Sequence, residues 1–180
     1  MFKWQGRIDN EDGLEGLRWH QKVDEHAYKE SGNLTSVNNS DKRATIDNTV
    51  TLVGFESDLG VAFNKGRTGA AAGPNAIRQA LSNLPWHWPN TPFTDLGNVT
   101  AVDNLAQAQT QYADAISYAL KQHTGFTIGL GGGHEIAWGS YQGLFNTKPE
   151  NARIGIINFD AHFDLRKPVL NTSSGTPFRQ

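Results

Sequence analysis

Cysteine is absent from all 180 residues. Disulfides and thiolate-held zinc are therefore excluded, and any metal must be bound through oxygen and nitrogen. An excess of charge of one sign is lacking too: 16 Lys+Arg against 18 Asp+Glu give a formal net charge of −2. That balance offers no basic face for nucleic acid or for an anionic membrane surface, so neither partner is expected. No apolar run approaches the ~20 residues that a membrane-crossing helix needs. The opening MFKWQGRIDNEDG carries no apolar core of signal-peptide length. No internal repeat is present. The expectation is a cytoplasmic enzyme or binding domain acting on a small molecule, long enough to bury a sizeable core.

Composition divides the chain. Residues 1–48 are mostly polar and read as an N-terminal extension and loop. Within them LEGLRWHQKV (14–23) is amphipathic, with Leu14, Leu17 and Trp19 turned toward a partner surface. SGNLTSVNNSDKRATIDN (31–48) has the Ser, Asn, Asp and Thr content of a surface loop. Residues 49–180 alternate between strand and helix patterns. TVTLVGFE (49–56) is a β-branched strand. A glycine-containing loop leads to a helix beginning near Pro74, with Ile77, Leu81 and Leu84 at helical spacing and Pro85 as its stop. FTDLGNV (93–99) is a short strand. Residues 103–122 predict the clearest helix, with Asp103 as N-cap and Leu105, Ala108, Tyr112, Ala115, Ile116, Ala119 and Leu120 on one face. FTIGLGGG (126–133) is a strand running into glycines, HEIAWGSYQGLF (134–145) a helix, and RIGIINFD (153–160) a strand apolar on both faces. Such alternation indicates an α/β domain with a mainly parallel sheet, whose functional groups gather outside the carboxyl ends of the strands.

Four stretches could carry chemistry. In FDAHFD (159–164), Asp160, His162 and Asp164 stand at every second position, so an extended backbone would project all three together. They are then either the nucleus of a divalent-cation site or a polar strand exit bonded to loop backbone. GLGGGHEIAW (129–138) resembles an anion-binding turn but lacks the last glycine of G-x-G-x-x-G, a place held by His134. Its glycines would let the loop approach a site closely while His134 offers a nitrogen, the alternative being a helix-capping histidine. The small residues of GRTGAAAGPNAIR (66–78) imply tight packing, and Arg67 is either an anion ligand or part of a structural turn. In RKPVLNTSSGTPFRQ (166–180), Arg166, Ser173, Ser174, Thr176 and Arg179 make a set suited to a substrate carboxylate, or a solvated loop.

Taken in order, GR-x-GA-x-x-GP-x-x-IR, GGGHE and NFDAHFDLR resemble the ureohydrolase family of arginases, agmatinases and formimidoylglutamases over residues ~50–180. The usual second motif of that family is GGDHS; here Gly133 and Glu135 replace its Asp and Ser. That variant, with DAHFDLR and SSGTPFRQ, is more similar to the formimidoylglutamase branch than to arginase. The resemblance implies a three-layer, doubly wound, mainly parallel α/β sheet of the arginase type, here incomplete. It also implies two Mn²⁺ ions: His134, Asp160 and Asp164 would hold one, Asp160 and His162 the other, with Asp160, His162 and Asp164 serving the catalytic step. The implied reaction is hydrolysis of N-formimidoyl-L-glutamate to L-glutamate and formamide in histidine degradation, with Arg166 and the Ser173–Thr176 loop facing the glutamate carboxylates.

Agmatinase or another guanidino hydrolase is the nearest alternative, followed by a zinc deacetylase of related fold and by a binding fragment without activity. Phe178 stands near the place where arginases carry a proton-shuttling histidine. The family's later S-x-D-x-D-x-x-D-P motif, source of two more metal aspartates, does not occur in the sequence. The chain thus reads as an amino-terminal portion, expected to be weakly active or inactive alone and homo-oligomeric at full length.

Overall fold

A computed structural model describes residues 1–28, 35–36, 48–100, 104–123 and 125–164. Among them run, in chain order, β1 (Val23–Ala27), β2 (Thr35–Ser36), β3 (Val50–Glu56), α1 (Leu59–Phe63), α2 (Gly73–Ser82), β4 (Phe93–Thr100), α3 (Leu105–Gln122), β5 (Thr127–Leu130) and α4 (Ile136–Phe145). The sheet order is β2-β1-β4-β3-β5. β1, β4, β3 and β5 are parallel, and β2 adds antiparallel to β1. Parallel strands require long crossovers; α2 lies in the one from β3 to its neighbour β4, and α3 in the one that carries the chain from β4 to β5 on the far side of β3.

β3 is an inner strand, between β4 and β5, and is buried from Val50 to Phe55. Alternation of side chains splits it between two cores. Val53 and Phe55 join Leu96 and the α3 residues Leu105, Ala108, Tyr112, Ala115, Ile116 and Ala119 on one face. Val50 and Leu52 join Val23, Phe93, Leu130 and the indoles of Trp4, Trp19 and Trp86 on the other. Each large aliphatic or phenyl side chain among these contributes about 1.5–3 kcal/mol by leaving water, the alanines correspondingly less. Covered on both faces, the sheet forms the α/β layering expected of it.

α3 agrees with the pattern read for it, except at its start. Asn104 is the N-cap, its side chain accepting a hydrogen bond from the Gln107 N–H; residue 103, expected in that role, lies outside the described residues. α4 lies against α3 through the buried Gly139 and Gly143, and the Ser117 hydroxyl of α3 donates to the Gly143 carbonyl at 2.9 Å.

Other expectations need correction. The inner face of α2 is largely polar: Pro74, Arg78 and Ser82 are buried, while of the expected apolar residues only Leu81 packs against the second core, Ile77 is exposed and Leu84 lies beyond the helix end. Arg78 forms a two-pronged pair with Asp95, each nitrogen–oxygen distance 2.7 Å, and also donates to Asn98 and to the carbonyls of Pro74 and Gly97. The Trp4 indole N–H completes the Asp95 carboxylate at 2.8 Å. A buried ion pair persists only when its hydrogen bonds are this complete, which apolar periodicity cannot reveal. Gly97, at φ +78°, marks the register shift where β4 gains a residue against β3. Leu14 is exposed, whereas Trp19 is buried. The N-terminal segment read as a polar extension contributes β1 to the sheet and the indoles of Trp4 and Trp19 to its second face. Residues 31–34 and 37–47, expected as loop, lie outside the described residues. RIGIINFD (153–160) is not a strand here; Ile157 and Phe159 are exposed, and a strand without a partner backbone has no ladder to hold it. No helix among the described residues is long and apolar enough to cross a membrane.

Candidate metal centre

His134 stands in the turn between β5 and α4, beside the carboxyl end of β3. Backbone bonds tie this turn to the sheet: the Gly132 N–H donates to the Phe55 carbonyl at 3.0 Å and the Gly133 N–H to the Ser57 carbonyl at 2.8 Å. The first residue of α2 presses on it so closely that a Cβ at Gly73 would lie 2.5 Å from the Gly131 oxygen. The tight packing read from GRTGAAAGPNAIR is thus real, while Arg67 is exposed. From α3, the Gln109 amide donates to the Glu135 carbonyl at 2.9 Å. The imidazole of His134, bracketed by these anchors, is 42% exposed.

The opposite wall is residues 158–164, and its bonds are its own. Asp160 Oδ1 accepts from the His162 N–H at 2.9 Å. That bond, reinforced by the nearby imidazole of His134, holds the Asp160 carboxyl below the usual carboxylate range against the opposing effect of desolvation. The Asn158 amide donates to the His162 carbonyl at 3.0 Å and to Asp164 Oδ2 at 3.1 Å. Asp164 adopts φ +54°, a left-handed conformation that Asp tolerates better than most side chains.

These bends replace the extended geometry expected for the stretch. Asp160 and Asp164 meet His134, whose Nε2 is 3.6 Å from Asp164 Oδ2. One donor atom from each of His134, Asp160 and Asp164 lies within 4.8 Å of the others. Donors ~2.2 Å from a shared ion stand at most ~4.4 Å apart, so the three are close to the spacing that a single cation demands. One imidazole and two carboxylates suit a hard or borderline divalent ion such as Mn²⁺. His162 points outward, its side chain 83% exposed and its Nδ1 3.4 Å from Asp160 Oδ1. Asp160 is therefore the carboxylate shared between the cluster and His162. Arg166, Ser173, Ser174, Thr176 and Arg179 lie outside the described residues.

Residues 48–180 match the Arginase family. The chain belongs to the arginase family. Its match covers every member of the cluster and the whole crossover from β3 to α4. Among curated relatives, formimidoylglutamase from Vibrio cholerae is 48% identical over 192 residues, covering 98% of this chain and 51% of that protein. Formimidoylglutamase from Aeromonas salmonicida is 46% identical over 181 residues, covering 100% and 52%. Among solved structures, the Trypanosoma cruzi formiminoglutamase with Mn²⁺ superimposes with a TM-score of 0.63 at 27% identity, covering 71% of this chain and 45% of that one. The chain spans about half the length of the curated relatives it matches.

One residue that the motif contains but to which sequence reasoning gave no role is Glu135. It is 1% exposed, with Oε1 accepting from the Gly60 N–H at 2.9 Å and from the Ser57 hydroxyl at 3.4 Å. Burial pushes its carboxyl above the ordinary value. Its only sequence signal was the departure from GGDHS.

Proposed function

We propose that this chain carries part of the active centre of a manganese-dependent formimidoylglutamase, which hydrolyses N-formimidoyl-L-glutamate to L-glutamate and formamide in the cytoplasm. The observation that carries the proposal is the convergence of His134, Asp160 and Asp164 at the strand ends of an arginase-family sheet. The names of the similar proteins supply the substrate.

His134, Asp160 and Asp164 would hold one Mn²⁺, and Asp160 with His162 would contribute to a second. The ions, when bound, would supply Lewis acidity that makes water a nucleophile near neutral pH. The chain's own groups do the rest. Asp160 and Asp164 bring the negative charge that a dication requires, and the pinned turn fixes the imidazole of His134 for binding. Water adds at the formimidoyl carbon, the bond from that carbon to the glutamate nitrogen breaks, and the nitrogen leaves as the amine of glutamate. The formimidoyl group departs as formamide. Arg166 with Ser173, Ser174, Thr176 and Arg179 would receive the two carboxylates of glutamate, a role for fixed positive charge and short hydroxyls. A whole protein of this kind is expected to form a homo-oligomer.

The test compares N-formimidoyl-L-glutamate with agmatine in the presence of Mn²⁺. Any turnover, expected to be weak in a chain that carries only part of the centre, should release formamide from the first and no urea from the second, and the first alone should perturb the Mn²⁺ paramagnetic resonance spectrum. A response to agmatine alone would shift the reading to a guanidino hydrolase. Zinc uptake without manganese uptake would point to the deacetylase chemistry instead.

A further inference from the structure

The carboxyl group of Glu135 lies in the space between two loops. On one side are Ser57 and Gly60, at the exit of β3, bonded to Oε1 at 3.4 and 2.9 Å. On the other is Gly133: a Cβ there would lie 1.9 Å from Glu135 Oε2. A Cβ at Gly60 would lie 2.8 Å from the same carboxyl. Glu135 Oε2 is buried and has no hydrogen-bond partner among the described residues. Two features that look independent in the sequence, a third glycine before His134 and a glutamate after it, therefore occupy one volume. The residue between them is the imidazole donor of the candidate metal centre.

We infer that Glu135 is a positioning residue for His134: its carboxyl bridges the β3 exit to the histidine turn, and its bulk dictates that residue 133 be glycine. The metal half of this inference rests on the manganese reading above; the steric half does not. Such a carboxyl touches neither metal nor substrate. It fixes the backbone on both sides of His134, together with the Gly133 N–H bond to Ser57 and the Gln109 bond to the Glu135 carbonyl. Outer residues that orient a ligand cost ~10–100-fold in metal affinity when lost.

The experiment uses the whole chain and four variants: Glu135→Ala, Glu135→Gln, Gly133→Ala and the double Gly133→Ala/Glu135→Ala, with Val23→Ala as a destabilised control in β1. Mn²⁺ affinity and melting temperature are both read. Glu135→Ala should weaken Mn²⁺ binding by ~10–100-fold, Glu135→Gln should restore it, and Val23→Ala should leave it unchanged despite a lower melting temperature. Gly133→Ala should lower the melting temperature in the parent chain and lose most of that effect once Glu135 is Ala, since the clash is gone. Equal cost of Gly133→Ala in both backgrounds, or Mn²⁺ affinity unmoved by Glu135→Ala, overturns the inference. If the parent chain takes up no Mn²⁺, the proposed function falls, and the coupling between residues 133 and 135 alone decides the steric half.

Discussion

The two walls of the candidate centre are built on different principles. The His134 wall is fastened to the sheet through backbone bonds to Phe55 and Ser57, a buried carboxyl on Gly60 and a side-chain amide from α3. The wall bearing Asp160 and Asp164 is fastened chiefly to itself, through Asn158 and the Asp160 carboxylate, with Phe159 and Phe163 exposed. One candidate donor is set by the fold and the other two by a local turn. The lesson is that a cation here would act as a clamp, joining a scaffolded donor to donors that the scaffold does not hold.

The largest effect should come from the buried ion pair between α2 and β4. Arg78→Ala leaves the Asp95 carboxylate buried without its partner and should cost about 3–5 kcal/mol, measured by chemical denaturation. Manganese should come next. At a hundredfold excess over its dissociation constant it should stabilise the chain by about 2.7 kcal/mol, and chelation should reverse this. Gly132→Ala puts a Cβ 2.1 Å from the Ser57 carbonyl and should cost about 1–3 kcal/mol with or without metal. Asp160→Asn should have the smallest effect on the metal-free protein, leaving its melting temperature unchanged, while it removes the stabilisation by Mn²⁺. If instead Asp160→Asn destabilised the metal-free chain as much as Gly132→Ala, the contrast between the walls would be lost.

What was legible in the sequence follows from the same contrast. β3 and α3 were readable because each buries apolar side chains at the proper period; β5 and α4 were readable less from periodicity than from the strand–glycine–helix order of 126–145, since β5 buries only Leu130 and α4 buries Gly139 and Gly143. The candidate donors in GGGHE and DAHFD drew attention because imidazole and carboxylates stood together in segments expected to end strands, where functional groups of α/β sheets gather. Arg78 was hidden because its burial depends on Asp95, seventeen residues away, and no periodicity reports pairing. β1 was hidden because VDEHA, near the edge of the sheet, carries the charges that edges tolerate. The apolar run at 153–160 signals strand propensity, but propensity does not supply a partner. The bends at 160–164 depend on Asn158 and on a left-handed Asp164, neither of which an alternating pattern encodes.

The clamp is tested most directly by hydrogen exchange with and without Mn²⁺, comparing peptides spanning 156–164 and 126–137. Saturating metal should slow exchange strongly in 156–164 and leave the strand and turn of 126–137 nearly unchanged, because that side is already held by the sheet. Protection rising equally on both sides, or on neither, would contradict the account.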